Sequence, residues 1–216
     1  MNKNEKFVIT INRELGSGGR TVGRKLAEKL GVAFYDKALI KGLEEKFNLT
    51  VEEIEKLKGS KHNWWSDFER IIGVGPGMTS NYYLPQKGDD SSLLTTSEMF
   101  KAETEILKGI AEEKSCVVAG RSGFFVYRDH PNHMSILIQA SMPHRIERIA
   151  RKQNMTEEEA RKTIEQVDMM RENYVKKYTD TSRYDTRNYE LVITMDRISE
   201  DDAVDLILDY INRQSV

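Results

Sequence analysis

The sequence predicts an α/β fold, a five-stranded parallel sheet with helices on both faces, and three observations lead there. Short β-branched runs alternate with helix-length amphipathic stretches along the chain. The central runs are apolar throughout instead of alternating, the pattern of strands buried on both faces. A glycine cluster from Gly16 to Gly19 stands directly between the first strand and the first helix.

Phe7 to Ile11 is the first strand, a run of Val, Ile and Thr that leads into Asn12, Arg13 and the glycines. Val22, Leu26, Ala27 and Leu30 then make a helical apolar stripe, and Gly31 stops it. Val32 to Tyr35 is the second strand, closing on Asp36. Strand, turn, helix and strand form a βαβ unit, whose strands are expected to be parallel with a right-handed crossover. From Lys37 to Glu113 the pattern is mainly helical. Thr50 and Glu53 make a capping box there. Gly73 to Ser92, rich in Gly and Pro, reads as a mobile loop, and helical spacing resumes near Ser97. Cys116 to Ala119 and Met134 to Ala140 are the third and fourth strands. Met142 to Arg151 and Thr156 to Lys177 are helical, the second opened by the capping pair Thr156 and Glu159. Leu191 to Thr194 is the fifth strand, and Ser199 with Asp202 caps a last amphipathic helix. A chain of 216 residues suits one core domain with an insertion.

Bulk composition excludes several classes of function. A net charge of -2 gives no general attraction to nucleic acid or to an anionic membrane surface. The longest apolar runs, such as Ser135 to Ile138, are far short of the roughly 20 residues that span a bilayer. A single cysteine, Cys116, rules out an intrachain disulfide and fits a reducing, cytoplasmic setting. The four histidines show no metal-ligand spacing, so no protein metal site is expected. Trp64, Trp65 and Phe68 suit a helix packed on the core or a homodimer contact as well as base stacking.

The glycine loop carries the chemistry. Glycines between a strand and a helix allow positive φ and close approach by a ligand, and they aim backbone N–H groups into one concavity. The positive end of the following helix favours an anion, and phosphate is its natural occupant. Gly16, Ser17, Gly18, Gly19, Arg20 and Thr21 are therefore the candidate cofactor-binding residues, with hydroxyl donors from Ser17 and Thr21.

From these residues onward the chain resembles the nucleoside monophosphate kinases, and most of all the bacterial cytidylate kinase-like proteins. In adenylate- and cytidylate-type kinases the loop reads G-x-x-G-x-G-K-G-T, and the GSGGR form is the usual one in the cytidylate kinase-like branch. Gly16, Gly18 and Thr21 coincide with it, Arg13 replaces the first glycine, Gly19 replaces the lysine, and Arg20 replaces the glycine that follows. The resemblance implies a three-layer P-loop NTPase-like fold with an acceptor-side insertion at about 37–113 and a helical lid at about 142–178. It implies ATP and Mg²⁺ as cofactors, with Arg20 taking the lysine's part. By the same resemblance Asp36 and Arg121 hold a small phosphorylated acceptor, CMP or dCMP, and lid arginines such as Arg148 and Arg171 close over the transferring phosphoryl group. Asp36 also suits an N-cap for the next helix, and the two roles are compatible. Two alternatives remain open at this point. One is a nucleotide- or phosphate-binding regulatory protein that transfers nothing, favoured by the absent lysine. The other is a P-loop kinase of a non-nucleotide acceptor, since residues 37–113 match cytidylate kinases poorly.

Overall fold

The computed structural model describes residues 1–36 and 97–214. The capping box at Thr50, the 73–92 loop, the Trp64–Trp65–Phe68 group and most of the insertion lie outside the described residues. The five described strands are β1 (Val8–Arg13), β2 (Ala33–Asp36), β3 (Cys116–Ala119), β4 (His133–Gln139) and β5 (Leu191–Thr194). They form one parallel sheet in the order β2-β3-β1-β4-β5. The described helices are α1 (Gly19–Leu30), α2 (Ser97–Glu113), the single turn α3 (Gly123–Val126), α4 (Met142–Gln153), α5 (Glu157–Thr179) and α6 (Glu200–Gln214).

Alternation within the strands assigns the two faces of the sheet. Ile9, Ile11, Ile136 and Ile138 pack with Val22 and Leu26 of α1 and with Val204 and Ile207 of α6. Leu137, one residue out of step, faces the other way, against Phe124, Val175 and Tyr189. Both faces of β3 and of the middle of β4 are buried, as their unbroken apolar runs require. The strands of the first βαβ unit are parallel but not adjacent, because β3 lies between them. Val117 and Val118 have no polar face to give to solvent, so their strand belongs inside the sheet.

Parallel pairing brings every strand's carboxyl end to one edge. Ala119 sits level with both Ile11 and Asp36, so Arg13 projects beyond that row. The chain leaves β1 between β3 on one side and β4 on the other, which is where an open α/β sheet forms its crevice. The helices α5 and α6 begin on the capping boxes expected for them, Thr156 with Glu159 and Ser199 with Asp202. Ser141 caps α4. By contrast α1 starts from Gly18, which offers no capping side chain.

At the opposite end of the sheet, burial dominates titration. Cys116 is buried and its thiol is pushed up to about 12, so it stays a protonated core residue. His133 on β4 shares a 2.8 Å hydrogen bond with Thr10 of β1. Burial lowers its pKa to about 4, against a smaller opposing pull from Glu190. The folded pKa lies below the unfolded one, so the unfolded chain binds the extra proton and stability falls as pH drops from about 6.5 toward 4. The expected loss is ~3 kcal/mol at the acid end of that window. Chemical denaturation of the wild type and His133→Asn between pH 7 and pH 4 checks this, since the variant should lack that part of the slope.

Candidate functional site

The loop between β1 and α1 is shaped by two left-handed glycines, Gly16 and Gly18, each at φ +86°. A Cβ on Gly16 would stand 2.9 Å from both the Cβ and the carbonyl oxygen of Arg145. The loop therefore lies against α4 with room only for glycine. Ser17 donates from its hydroxyl to the Glu14 carbonyl at 3.0 Å, and its oxygen accepts from the Gly19 N–H at 3.4 Å. Thr21 N–H donates to the Gly18 carbonyl at 2.9 Å. The glycine start leaves the positive end of a twelve-residue helix, α1, facing the crevice without an N-cap side chain.

Behind the loop lies a buried ionic cluster centred on Asp168 of α5. Its Oδ1 accepts from the Leu15 N–H at 3.0 Å, so it holds the loop backbone directly. Arg145 Nη1 lies 2.5 Å from Oδ2, Arg171 Nη1 3.5 Å from Oδ1, and Arg183 Nη1 3.6 Å from Oδ1. Arg171 also donates to the Arg13 carbonyl at 3.2 Å, and Arg183 Nη2 donates to the same oxygen. Glu14 accepts from the Ala140 N–H at 3.1 Å and stands 3.7 Å from Arg145 Nε. Among the described residues, Arg145 Nε and the Nε and Nη1 of fully buried Arg183 have no hydrogen-bond partner. An uncapped helix and a glycine cradle at one place fit an anionic cofactor such as a nucleoside triphosphate, while the buried guanidinium groups behind them face Asp168 and Glu14.

The arginines read from the sequence part company here. Those at 145, 148 and 151 are spaced three apart and drift round the helix. Arg145 is buried on Asp168, Arg148 pairs with Glu200 of α6, and Arg151 is exposed beside Glu147. Arg148 still borders the loop: its Cζ is 3.6 Å from where a Gly18 Cβ would be, and Glu200 Oε1 is 3.3 Å away. These two side chains help line a cavity of about 310 Å³ with Ser17, Lys25, His144 and Ile198. Arg161 is exposed. Arg20 is directed to the end of β2, where its Nε and Nη2 each lie 2.9 Å from Asp36 Oδ2.

Arg121 follows β3 in a run of three left-handed residues, Gly120 at φ +84°, Arg121 at +56° and Ser122 at +51°. Such a conformation costs on the order of 1 kcal/mol or more for each non-glycine residue, and it turns the arginine into the crevice wall. Its guanidinium is buried in an ion pair with Glu103 of α2. Tyr174 of α5 donates to Glu103 at 2.9 Å and accepts from Arg121 at 3.2 Å, with Arg121 Cζ 4.9 Å above its ring. Asp36 and Arg121 thus flank one mouth, at the ends of adjacent strands, and each is matched to an opposite charge.

Sequence reasoning did not single out Glu14, Glu103, Arg183 or Glu200. Arg183 comes from an irregular segment after α5 with no periodic pattern to mark it, and Glu103 and Glu200 look like ordinary surface acids of their helices. No group of three or more His, Cys, Asp or Glu among the described residues could hold a metal ion, and no described helix is long and apolar enough to cross a membrane.

Comparison with solved structures places the architecture. An uncharacterised protein from Eubacterium ventriosum aligns over 97% of this chain and 99% of its own, with TM-score 0.68 and 22% identity. Shikimate kinase from Bacteroides thetaiotaomicron covers 95% of this chain and 98% of its own, at TM-score 0.50 and 15% identity. Shikimate kinase from Acinetobacter baumannii, solved with shikimate, covers 97% and 94%, at TM-score 0.50 and 18% identity. At these identities the likeness is one of fold, an α/β P-loop NTPase-like fold. No curated protein matches the chain. The sequence profile of the cytidylate kinase-like family, however, runs from residue 8 through residue 197, from β1 to just past β5, and the chain belongs to that family.

Proposed function

We propose that this protein is an ATP-dependent phosphotransferase acting on a small acceptor bound at the mouth between β2 and β3. The carrying observation is the uncapped, glycine-lined start of α1, clamped by Asp168 beside the buried arginines. The backbone from Gly16 to Thr21 would hold the donor's phosphates, with the Thr21 hydroxyl as a further donor, while the Ser17 hydroxyl, bonded to the Glu14 carbonyl, shapes the loop. When bound, ATP would supply the phosphoryl group and Mg²⁺ would neutralise charge on it. Arg148 and Arg171, in the lid proposed at about 142–178, would bring positive charge to the transferring group on release from Glu200 and Asp168. Arg20 would orient Asp36, and Asp36 would meet the acceptor.

The family likeness makes CMP or dCMP the first acceptor to test. A second reading is favoured by the pairing of Arg121 with Glu103. A phosphate brought to Arg121 would stand beside a buried carboxylate of the same sign, which is unfavourable unless Glu103 moves or takes a proton. An acceptor that offers a hydroxyl and no phosphate avoids that conflict.

The test is ADP release from Mg·ATP by purified protein, with CMP, dCMP, UMP, AMP, shikimate, gluconate and no acceptor in parallel. Acceptor-dependent turnover of about 1 s⁻¹ or more is expected with one of them. A nucleotide monophosphate that works supports the first reading, and a hydroxy acid supports the second. Silence throughout, with ATP still raising the melting temperature, turns the assignment to a binding protein.

A further inference from the structure

We propose that Arg13, at the end of β1, supplies the cation that P-loop kinases take from the lysine at the start of the following helix. The inference rests on the reading of the loop as a donor-phosphate site, and it identifies the residue that makes a lysine-free loop workable.

Position 19 is where the lysine would stand. A Cβ built on Gly19 lies 2.6 Å from the Cβ of Arg13, closer than two side-chain carbons can approach. The two side chains would thus leave the backbone at nearly the same point, and only one can be present. Arg13 stands where the adenylate- and cytidylate-type loop has a glycine and Gly19 where it has its lysine, so the two departures are one exchange.

The direction of Arg13 supports the same role. Its guanidinium ends against Gly120, with Cζ 3.1 Å and Nη2 3.5 Å from where a Gly120 Cβ would be, and Nη1 closer still. The side chain therefore runs from the base of the loop across to the end of β3, over the crevice where the strand order divides around β1. Gly120, at φ +84°, has no side chain to block it. The Arg13 backbone is anchored on both sides. Its N–H donates to Asn12 Oδ1 at 3.0 Å, and its carbonyl takes the bonds from Arg171 and Arg183. A planar guanidinium keeps its charge at any working pH and can meet two phosphate oxygens at once.

Calorimetric binding of ATP, tripolyphosphate and AMP to the wild type, Arg13→Gln, Arg13→Lys and Arg20→Gln tests this. Loss of a charge-assisted contact to the outer phosphates should weaken ATP and tripolyphosphate about 30-fold in Arg13→Gln and leave AMP within about twofold. Arg13→Lys should recover only part of that loss, since an ammonium cannot make the two-point contact, and an Arg20→Gln loss as large as that of Arg13→Gln also overturns the proposal. ATP binding unchanged in Arg13→Gln overturns the proposal, and so does equal weakening of ATP and AMP, which marks a structural role. Should Arg13→Gln fail to fold, the double variant Arg13→Gly/Gly19→Lys decides. Return of ATP affinity supports the exchange, and a folded double variant without affinity for tripolyphosphate overturns it. A wild type that binds neither ATP nor tripolyphosphate overturns the phosphotransferase reading together with this one, whereas a wild type that binds both as tightly as Arg13→Gln does overturns this one alone.

Discussion

Gly19→Lys, which writes the lysine of adenylate- and cytidylate-type kinases into the loop, is expected to destabilise the protein and to abolish ATP binding. The new Cβ would stand 2.6 Å from Arg13 Cβ and 3.1 Å from Ile138 Cβ. Both obstacles lie at the root of their side chains, so neither can swing aside as a flexible tip would. Overpacking of that kind costs on the order of 3 kcal/mol. For a chain of this length that is a melting temperature lower by roughly 6–12 °C. The clash falls between β1 and the first turn of α1, so the turn that would face the phosphates must move with it. Thermal melting and ATP calorimetry check both parts. Arg13→Gly, added to the same chain, removes the nearer obstacle and should restore most of the stability. A Gly19→Lys protein that melts with the wild type and binds ATP more tightly would show that the loop has space the structure denies it.

The second large effect is expected at Asp168. Asp168→Ala removes one carboxylate shared by three arginines and the acceptor for the Leu15 N–H. Breaking a buried ion pair on one side leaves its partners desolvated and unmatched, which costs roughly 3–5 kcal/mol. Fully buried Arg183 has no water to turn to, and it suffers most. Asp168→Asn keeps the shape and an acceptor for Leu15 but loses the charge, so it should be less damaging to the loop. Denaturant unfolding of both variants checks the order. Hydrogen exchange at Leu15 should rise more in the alanine variant than in the asparagine variant. Equal and small losses in the two would mean that the arginines are satisfied elsewhere.

How much of this was legible beforehand depends on the range of the interaction. The strands at Cys116–Ala119 and Leu191–Thr194, the capping boxes of α5 and α6, and the glycine loop were readable because each is decided within a few residues. Element ends shifted by a residue or two. Arg13, read as the start of the loop, is the last residue of β1, and that shift places its side chain in the position a lysine would fill. The single turn α3 escaped notice because four residues carry no periodicity.

Side-chain partnership between distant segments was not legible. Arg20 and Asp36 are sixteen residues apart, Arg121 and Glu103 belong to different elements, and Arg148 finds Glu200 across fifty-two positions. No pattern along the chain distinguishes an arginine that meets a phosphate from one that meets a carboxylate, since both are the same residue at the same helical spacing. Hydrophobic periodicity and turn chemistry are local consequences of backbone geometry, so the sequence alone was enough for an α/β chain with a phosphate loop between β1 and α1. Which charges face one another depends on how strands are ordered and how helices close over their ends, and packing decides that only when distant segments are brought together. The tertiary structure therefore set Asp168 beneath the loop, Glu103 on Arg121 and Arg13 in the space beside Gly19.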